Sequence, residues 1–324
     1  MQQPGCFLVC FPGYLHVPDA IPFVRLEYVV AVAGSLAAWV WIAARRSTKT
    51  PILSHAPRSN VPWGSVGLII ALLMLSLKII PLVIIPLVGG EDTRTGLDDP
   101  DPATFIWQAA VMGVTMLWAT IGIAAVLILT RGANRRDLGL PSTSVELFDD
   151  VRVGVVTFAA TIIPVYGIKI AIVKLTGDKA AHPLLEKLIE NPSGPLFIVI
   201  VFSAVIVAPI FEEFVYRLLL QGWLEKTERP TLAEPVASSR NSEPFGSHRS
   251  WMALPFGVGP IAISALLFSL AHLGHGLDPI PLFVLGVFYG YIYYRTHRLL
   301  PCVLAHMFFN GFSLALFWME FAWQ

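Results

Sequence analysis

Long apolar runs alternate with short polar segments along most of this 324-residue chain. Many of the runs are about 17 to 25 residues long, the length that an α-helix needs to cross the hydrocarbon core of a bilayer. We place eight such helices at residues 24–44, 65–88, 105–130, 152–175, 196–224, 255–273, 279–295 and 301–320. The pattern therefore predicts an all-α fold, a polytopic membrane helix bundle with about eight transmembrane helices.

The amino-acid composition is also typical of an integral membrane protein. Hydrophobic residues make up 55% of the chain, charged residues make up 14%, and the mean hydropathy is +0.68. These values lie outside the range of soluble globular domains. We therefore expect the lipid bilayer as a partner. The formal net charge is zero, so we expect no nucleic acid as a partner. The three cysteines match no zinc or redox motif.

Lysines and arginines are unevenly distributed among the predicted loops. The loops after the first, third, fifth and seventh helices hold thirteen of them, against three in the loops after the second, fourth and sixth. Because positively charged loops remain preferentially in the cytoplasm, loop 225–252 is expected on the cytoplasmic side. This loop is polar and rich in Ser, Pro and Glu, and we interpret it as a flexible linker.

Two adjacent glutamates, Glu212 and Glu213, interrupt the fifth apolar run. A charged side chain is costly in hydrocarbon, so such residues usually face the interior of a bundle and have a function. Arg217 follows Glu213 by four residues, which places the two on one helix face where they can pair. Glu212 then remains as the carboxylate at which we look for chemistry.

Two further polar pairs lie in the sixth and eighth predicted helices. His272 follows Phe268 by four residues, and Asn310 follows His306 by the same spacing. Each pair has a structural alternative, because a histidine near a helix end is often interfacial and an asparagine can join two membrane helices by a hydrogen bond. Taken with Glu212, however, the two histidines and the amide supply a general base and donors for an oxyanion.

Lysines also occur inside apolar runs. Lys78 lies in the middle of the second run, where a function, snorkelling and pairing with an acid all remain open. Lys169 and Lys174 lie near the end of the fourth helix, where snorkelling to the interface is sufficient to explain them.

The order of these motifs resembles the CPBP family of intramembrane proteases. EEFVYR at 212–217, FSLAH at 268–272 and HMFFN at 306–310 match EExxxR, FxxxH and HxxxN on separate membrane helices. The family comprises the type II CAAX prenyl endopeptidases and bacterial relatives, including bacteriocin-processing and self-immunity proteins. The resemblance implies an enzyme, a hydrolase of the CAAX prenyl endopeptidase type.

The extent of the resemblance, about residues 146–320, divides the chain into two parts. We expect a protease core of five helices at 146–324, interrupted by the linker 225–252. Residues 1–145 would form an N-terminal region with three helices. The resemblance also favours a multi-pass protein of the bacterial cytoplasmic membrane.

Site residues can be carried over from the family position by position. Glu212 would be the general base that activates a water molecule, and His272 would help to hold that water. His306 and Asn310 would donate hydrogen bonds to the developing oxyanion. Three residues would support this site, with Glu213 and Arg217 bracing it and Phe268 packing beneath His272.

The sequence says less about the metal content and the substrate than about the site residues. Glu212, His272 and His306 are residue types that bind zinc, but the chain lacks HExxH. Metal-free catalysis is therefore favoured over a zinc enzyme. The expected substrate is a peptide or protein, which can be tethered to the membrane.

Two alternatives to a protease remain. In a transporter or scaffold, Glu212, His272 and His306 would relay protons or bind a ligand, although the sequence contains no repeat of the kind found in many transporters. A pseudo-enzyme is the other alternative, and the complete set of motif residues argues against it.

Overall fold

The computed structural model describes residues 26–48, 53, 61–76, 102–177, 188, 193–228, 257–273 and 276–322. Within these ranges the chain forms helices and no strands. The eight helices, numbered in chain order, are α1 Leu26–Ser47, α2 Val66–Ser76, α3 Pro102–Arg131, α4 Ser144–Thr176, α5 Gly194–Glu228, α6 Val258–Leu270, α7 Pro279–Thr296 and α8 Leu300–Ala322.

The helices confirm the predicted all-α membrane bundle. Five of them, α1, α3, α4, α5 and α8, are long and apolar enough to cross a membrane. Each of the eight described helices corresponds to one predicted segment. The second segment, 65–88, is described only as far as Ser76, so Lys78 lies outside the described residues.

Local sequence signals explain where α4 begins and ends. Thr143 Oγ1 accepts a hydrogen bond from the Glu146 main-chain N–H, and Glu146 Oε2 accepts one from the Ser142 N–H. Together these bonds satisfy main-chain donors at the start of the helix. Gly177 ends the helix in the left-handed conformation at φ 71°, with its N–H bonded to Val173 O.

The longest helix, α5, is not a regular α-helix. Two π-helical segments, Val201–Val207 and Phe214–Gln221, flank a short α-helical part, Ala208–Glu213. π-Helical hydrogen bonds join residues five apart, and such segments are rare and frequent at functional sites. Both glutamates of the EExxxR motif lie in the short α-helical part, between the two irregular segments.

The last three helices and α3 pack around α5. Helix α6 lies against α7, α8 lies against α4, and the second π-helical segment of α5 contacts α6 and α7. The α6–α7 contact is close because Gly286 has no side chain. A Cβ there would lie 3.0 Å from Ala265 Cα. This packing brings the motifs of α5, α6 and α8 to the centre of the bundle.

The expectation that Lys169 snorkels is wrong. Its side chain is buried at 6% exposure, and Nζ pairs with Asp278 Oδ1. Asp278 lies in the turn between α6 and α7, so the ion pair ties that turn to α4. The hydropathy pattern places Lys169 near the end of a membrane helix. It does not report that an acidic residue from a turn far away in the sequence packs beside it.

The predicted linker 225–252 begins too early. Helix α5 continues to Glu228, and both Glu225 and Glu228 are buried. Glu225 accepts a hydrogen bond from Gln221 Nε2 at 3.0 Å, and Glu228 accepts one from the Gly257 N–H at 2.8 Å. The polar composition of these first residues therefore reflects helix contacts. Residues 229–252 lie outside the described part of the chain.

Candidate active site

Glu212, Glu213 and Arg217 are completely buried in the bundle. Arg217 Nε donates to Glu213 Oε2 at 3.0 Å, which confirms the pair predicted from their spacing. Arg217 Nη1 also donates to Ser264 Oγ on α6 at 2.7 Å. The guanidinium carbon lies 5.1 Å from the centre of the Phe268 ring, a distance typical of a cation–π contact. Arg217 is thus held by α5 and α6 together.

The second oxygen of Glu213 contacts α8. His306 Nδ1 lies 2.9 Å from Glu213 Oε1. Since a carboxylate that is paired with arginine only accepts hydrogen bonds, the geometry assigns the hydrogen to Nδ1 of His306. Glu213 therefore joins Arg217 to His306. The sequence predicted Glu213 as a partner of Arg217 and did not predict its bond to the histidine.

Glu212 faces the other nitrogen of the same imidazole. Its Oε2 lies 3.9 Å from His306 Nε2, which is too long for a direct hydrogen bond. Two carboxylates and Arg217 leave one negative charge among these four side chains while His306 is neutral. One proton on Glu212 or on His306 makes the four neutral, which burial favours. Glu212 and the Nε2 atom of His306 therefore face each other across a short gap inside the bundle.

His272 lies just beyond the end of α6 and is 2% exposed. Its main-chain N–H bonds to Ser269 O, which leaves the Phe268 carbonyl for another donor. The Nδ1 atom of the His272 side chain lies 2.8 Å from Phe268 O and donates to it. In the neutral state His272 and His306 therefore share one tautomer, with the hydrogen on Nδ1 and the lone pair on Nε2.

The Phe268 ring contacts both histidines. The ring centres lie 5.0 Å apart for Phe268 and His272, and 5.9 Å apart for Phe268 and His306. The second contact is edge to face, a favourable arrangement of aromatic rings. Phe268 thus fixes the two imidazoles relative to each other as well as supporting Arg217.

Asn310 bonds to a carbonyl that the helix itself cannot satisfy. In the first π-helical segment the Ala208 N–H bonds to Ser203 O, so it is not used on Ala204 O. The residue five positions after Ala204 is Pro209, which has no N–H. Asn310 Nδ2 donates to Ala204 O at 2.8 Å. One of the two amide hydrogens of Asn310 therefore has a structural use.

Tyr289 on α7 packs against the candidate site, a contact that the sequence did not predict. Its ring centre lies 5.3 Å from that of His306, and the residue is fully buried. Its hydroxyl has no hydrogen-bond partner among the described residues. The only signal in the sequence was a tyrosine-rich stretch, YGYIYY at 289–294.

The three residues considered for zinc do not form a metal site in this arrangement. Within the described ranges, no group of three His, Cys, Asp or Glu side chains is placed to hold a metal ion. Glu212 Oε2 lies 3.9 Å from His306 Nε2, and the Phe268 ring contacts both histidines. We therefore assign no step to a metal.

Comparison with known proteins identifies the region that holds this site. Residues 194–312 match the family model of the type II CAAX prenyl endopeptidase Rce1-like proteins. This match covers α5, α6, α7 and the first half of α8, and it is narrower than the expected 146–320. The membrane-embedded CAAX protease MroQ of Staphylococcus aureus (strain USA300) is 28% identical over 156 residues, which are 48% of this chain and 53% of that protein.

The chain thus spans about half the length of the curated relative that it matches. No solved structure matches it. The family match contains all three motifs, and the protein has helices suited to an integral membrane protein. Residues 194–312 are thus similar to the Rce1-like type II CAAX prenyl endopeptidases, and they contain the whole candidate site.

Proposed function

We propose that this protein is an intramembrane endopeptidase in which Glu212 activates a water molecule for attack on a peptide bond. The observation that carries the proposal is the buried pair of Glu212 and His306, backed by Glu213 and Arg217. A carboxylate and an imidazole are the groups that general acid–base catalysis uses most often. The pair lies inside the segment that matches the endopeptidase family.

The first step breaks an O–H bond of water and forms a C–O bond to the peptide carbonyl carbon. Glu212 accepts the proton, and the lone pair on Nε2 of His272 accepts a hydrogen bond from the same water. The carbonyl oxygen becomes an oxyanion. Since Nδ1 of His306 is engaged with Glu213, His306 can donate to the oxyanion only through Nε2, and therefore only as an imidazolium. The charge of Glu213 stabilises that form.

In the second step the C–N bond breaks and the leaving amine takes the proton from Glu212. The free amide hydrogen of Asn310 is available as a second donor to the oxyanion, since the other is used on Ala204 O. This sequence of steps uses the side chains of α5, α6 and α8 and needs no metal. Its products are a carboxylic acid and an amine.

The substrate class follows from where the site lies. All the participating side chains are buried among helices suited to a membrane, so a peptide or a membrane-tethered protein has to reach them from within or beside the bilayer. The family name favours a CAAX-type sequence at the substrate C-terminus. We place the protein in the bacterial cytoplasmic membrane, with the segment after Glu228 on the cytoplasmic side because of its positive charge.

The test is a cleavage assay with purified full-length protein in detergent. The substrates are two quenched fluorescent peptides that end in the same CAAX sequence, one with a farnesylated cysteine and one without. Wild type, Glu212→Gln and Asp149→Asn are compared, because Asp149 is an exposed carboxylate on α4 outside the site. We expect Glu212→Gln to lose at least about 100-fold in rate and Asp149→Asn to retain full activity.

The same assay with 1,10-phenanthroline tests the metal-free mechanism, which predicts an unchanged rate. Cleavage by Glu212→Gln at the wild-type rate would disprove Glu212 as the base. An inactive wild type would favour a transporter or scaffold instead.

A further inference from the structure

Trp63 lies far outside the segment that matches the protease family, yet it bonds to the helix that holds the glutamates. Its side chain is 1% exposed, and Nε1 donates to the main-chain oxygen of Leu219 at 3.3 Å. Leu219 lies in the second π-helical segment of α5, two residues after Arg217. A residue of the N-terminal region thus contacts the main chain next to the EExxxR motif.

Gly67, in the first turn of α2, touches the same stretch of main chain. A Cβ on Gly67 would lie 2.5 Å from both the main-chain carbon of Leu219 and the main-chain nitrogen of Leu220. No side chain fits at that distance, so the two backbones are in direct contact. Gly64 is three residues earlier, and a Cβ there would meet no atom within 4 Å.

Lys226 holds the beginning of the same segment. Its Nζ donates to the main-chain oxygens of Val61 at 3.0 Å and Trp63 at 3.2 Å. The segment that leads into α2 is therefore bonded to α5 at Leu219 and again two turns later at Lys226. These contacts lie on either side of the end of the second π-helical segment.

π-Helical segments are rare and occur mostly as short interruptions of α-helices, so contacts from outside the helix help to hold this one. Its main chain also sets the position of Arg217. Arg217 holds Glu213, and Glu213 holds His306. A displacement of this segment is therefore passed to the imidazole that faces Glu212.

From these contacts we propose that Trp63 and Gly67 are positioning residues for the protease site. Helix α2 and the residues before it pack against the π-helical segment of α5. This contact keeps Arg217, Glu213 and His306 in their positions relative to one another. This inference rests on the proposed function for its effect on catalysis. Its effect on the structure of α5 can be measured without any cleavage.

The experiment compares Gly67→Ala with Gly64→Ala in the full-length protein. Alanine forms helices better than glycine does, so a loss in Gly67→Ala comes from the contact with Leu219. Hydrogen–deuterium exchange of peptides that cover 214–228 reports the π-helical segment directly. We expect faster exchange there for Gly67→Ala and wild-type exchange for Gly64→Ala.

In the cleavage assay, Gly67→Ala should lower kcat about tenfold or more and leave KM within about twofold, since displaced catalytic groups slow the chemistry without removing substrate contacts. Gly64→Ala should behave as wild type. Trp63→Phe keeps an aromatic ring and removes the N–H donor together with the five-membered ring of the indole, so it should fold and show a smaller loss of kcat. If Gly67→Ala does not fold, the exchange and the kcat of Trp63→Phe test the inference instead.

Unchanged exchange in both Gly67→Ala and Trp63→Phe would overturn this inference, whatever the cleavage assay gives. Equal loss of kcat in the Gly64 and Gly67 variants would also overturn it. An inactive wild type would count against the proposed function alone, because the exchange measurement would still report the contact of α2 with α5.

Discussion

His306 Nδ1 lies 2.9 Å from Glu213 Oε1, although the two residues are 93 positions apart in the chain. The contact gives Glu213 a role that its neighbour Glu212 does not have. Glu213 neutralises Arg217 and fixes the tautomer and direction of the imidazole. In serine proteases a buried aspartate orients its histidine in a comparable way. The two adjacent glutamates should therefore respond differently to the same substitution.

Glu213→Gln is expected to destabilise the protein much more than Glu212→Gln. It leaves the Arg217 charge buried without its carboxylate, and breaking a buried pair costs about 3 to 5 kcal/mol. Thermal unfolding in detergent measures the difference, with Asp149→Asn as the control. Adding Arg217→Met to Glu213→Gln should recover part of the loss. Equal stability of the two glutamine variants would contradict the assignment.

Asn310→Ala is expected to reduce the free energy of unfolding by about 1 to 3 kcal/mol, because Ala204 O is left without its donor. Pro209→Ala restores a main-chain N–H at the position from which a π-helical bond to Ala204 O can form. The double variant should therefore lose less stability than the sum of the two single variants.

Cleavage should not recover in the double variant, since the other amide hydrogen of Asn310 is still missing. A double-mutant cycle on unfolding, with cleavage measured in parallel, separates the two uses of Asn310. Strict additivity of the unfolding free energies would show that Ala204 O has another donor.

Lys169→Met is expected to destabilise the protein by about 3 to 5 kcal/mol, as it leaves Asp278 buried and charged. Lys169→Met combined with Asp278→Leu should be close to the wild type, because an apolar pair replaces the ion pair. Lys174→Met is the matched control, since Lys174 is exposed on the same helix. A Lys169→Met protein as stable as the control would mean that the ion pair contributes nothing.

Phe268→Leu is expected to lower the rate of cleavage about tenfold, because the ring that spaces His272 and His306 is lost. The substitution keeps much of the apolar volume, so the stability loss should stay below about 1.5 kcal/mol. Phe158→Leu is a suitable control, since Phe158 packs against Phe308 and Phe312 on the outer part of α8. A similar loss of cleavage in both variants would argue against a special role for Phe268.

The sequence predicted the helices and the local pair well, for physical reasons. Apolar length decides which segments cross a bilayer, and spacing by four residues decides which side chains share a helix face. The pair of Glu213 and Arg217 depends on nothing else. The eight predicted segments and the eight described helices agree because both follow from hydropathy.

Contacts between helices could not be predicted in this way. The bond between Glu213 and His306 depends on how α5 packs against α8. The bond of Asn310 depends on a π-helical segment and a proline together, and no hydrophobic period reports such a segment. Lys169 and Glu225 were misjudged for the same reason, because their partners, Asp278 and His297, come from other parts of the chain.

The π-helical segment Val201–Val207 also makes the spacing within α5 a condition for the site. Each π-helical bond encloses one residue more than an α-helical bond does. If the same residues were wound as a regular α-helix, everything after them would turn by about 100° relative to residues 194–200. Glu212 would then point away from His306. Two chains can therefore carry the same three motifs and the same hydropathy, and only the one whose α5 is π-helical at 201–207 builds this site.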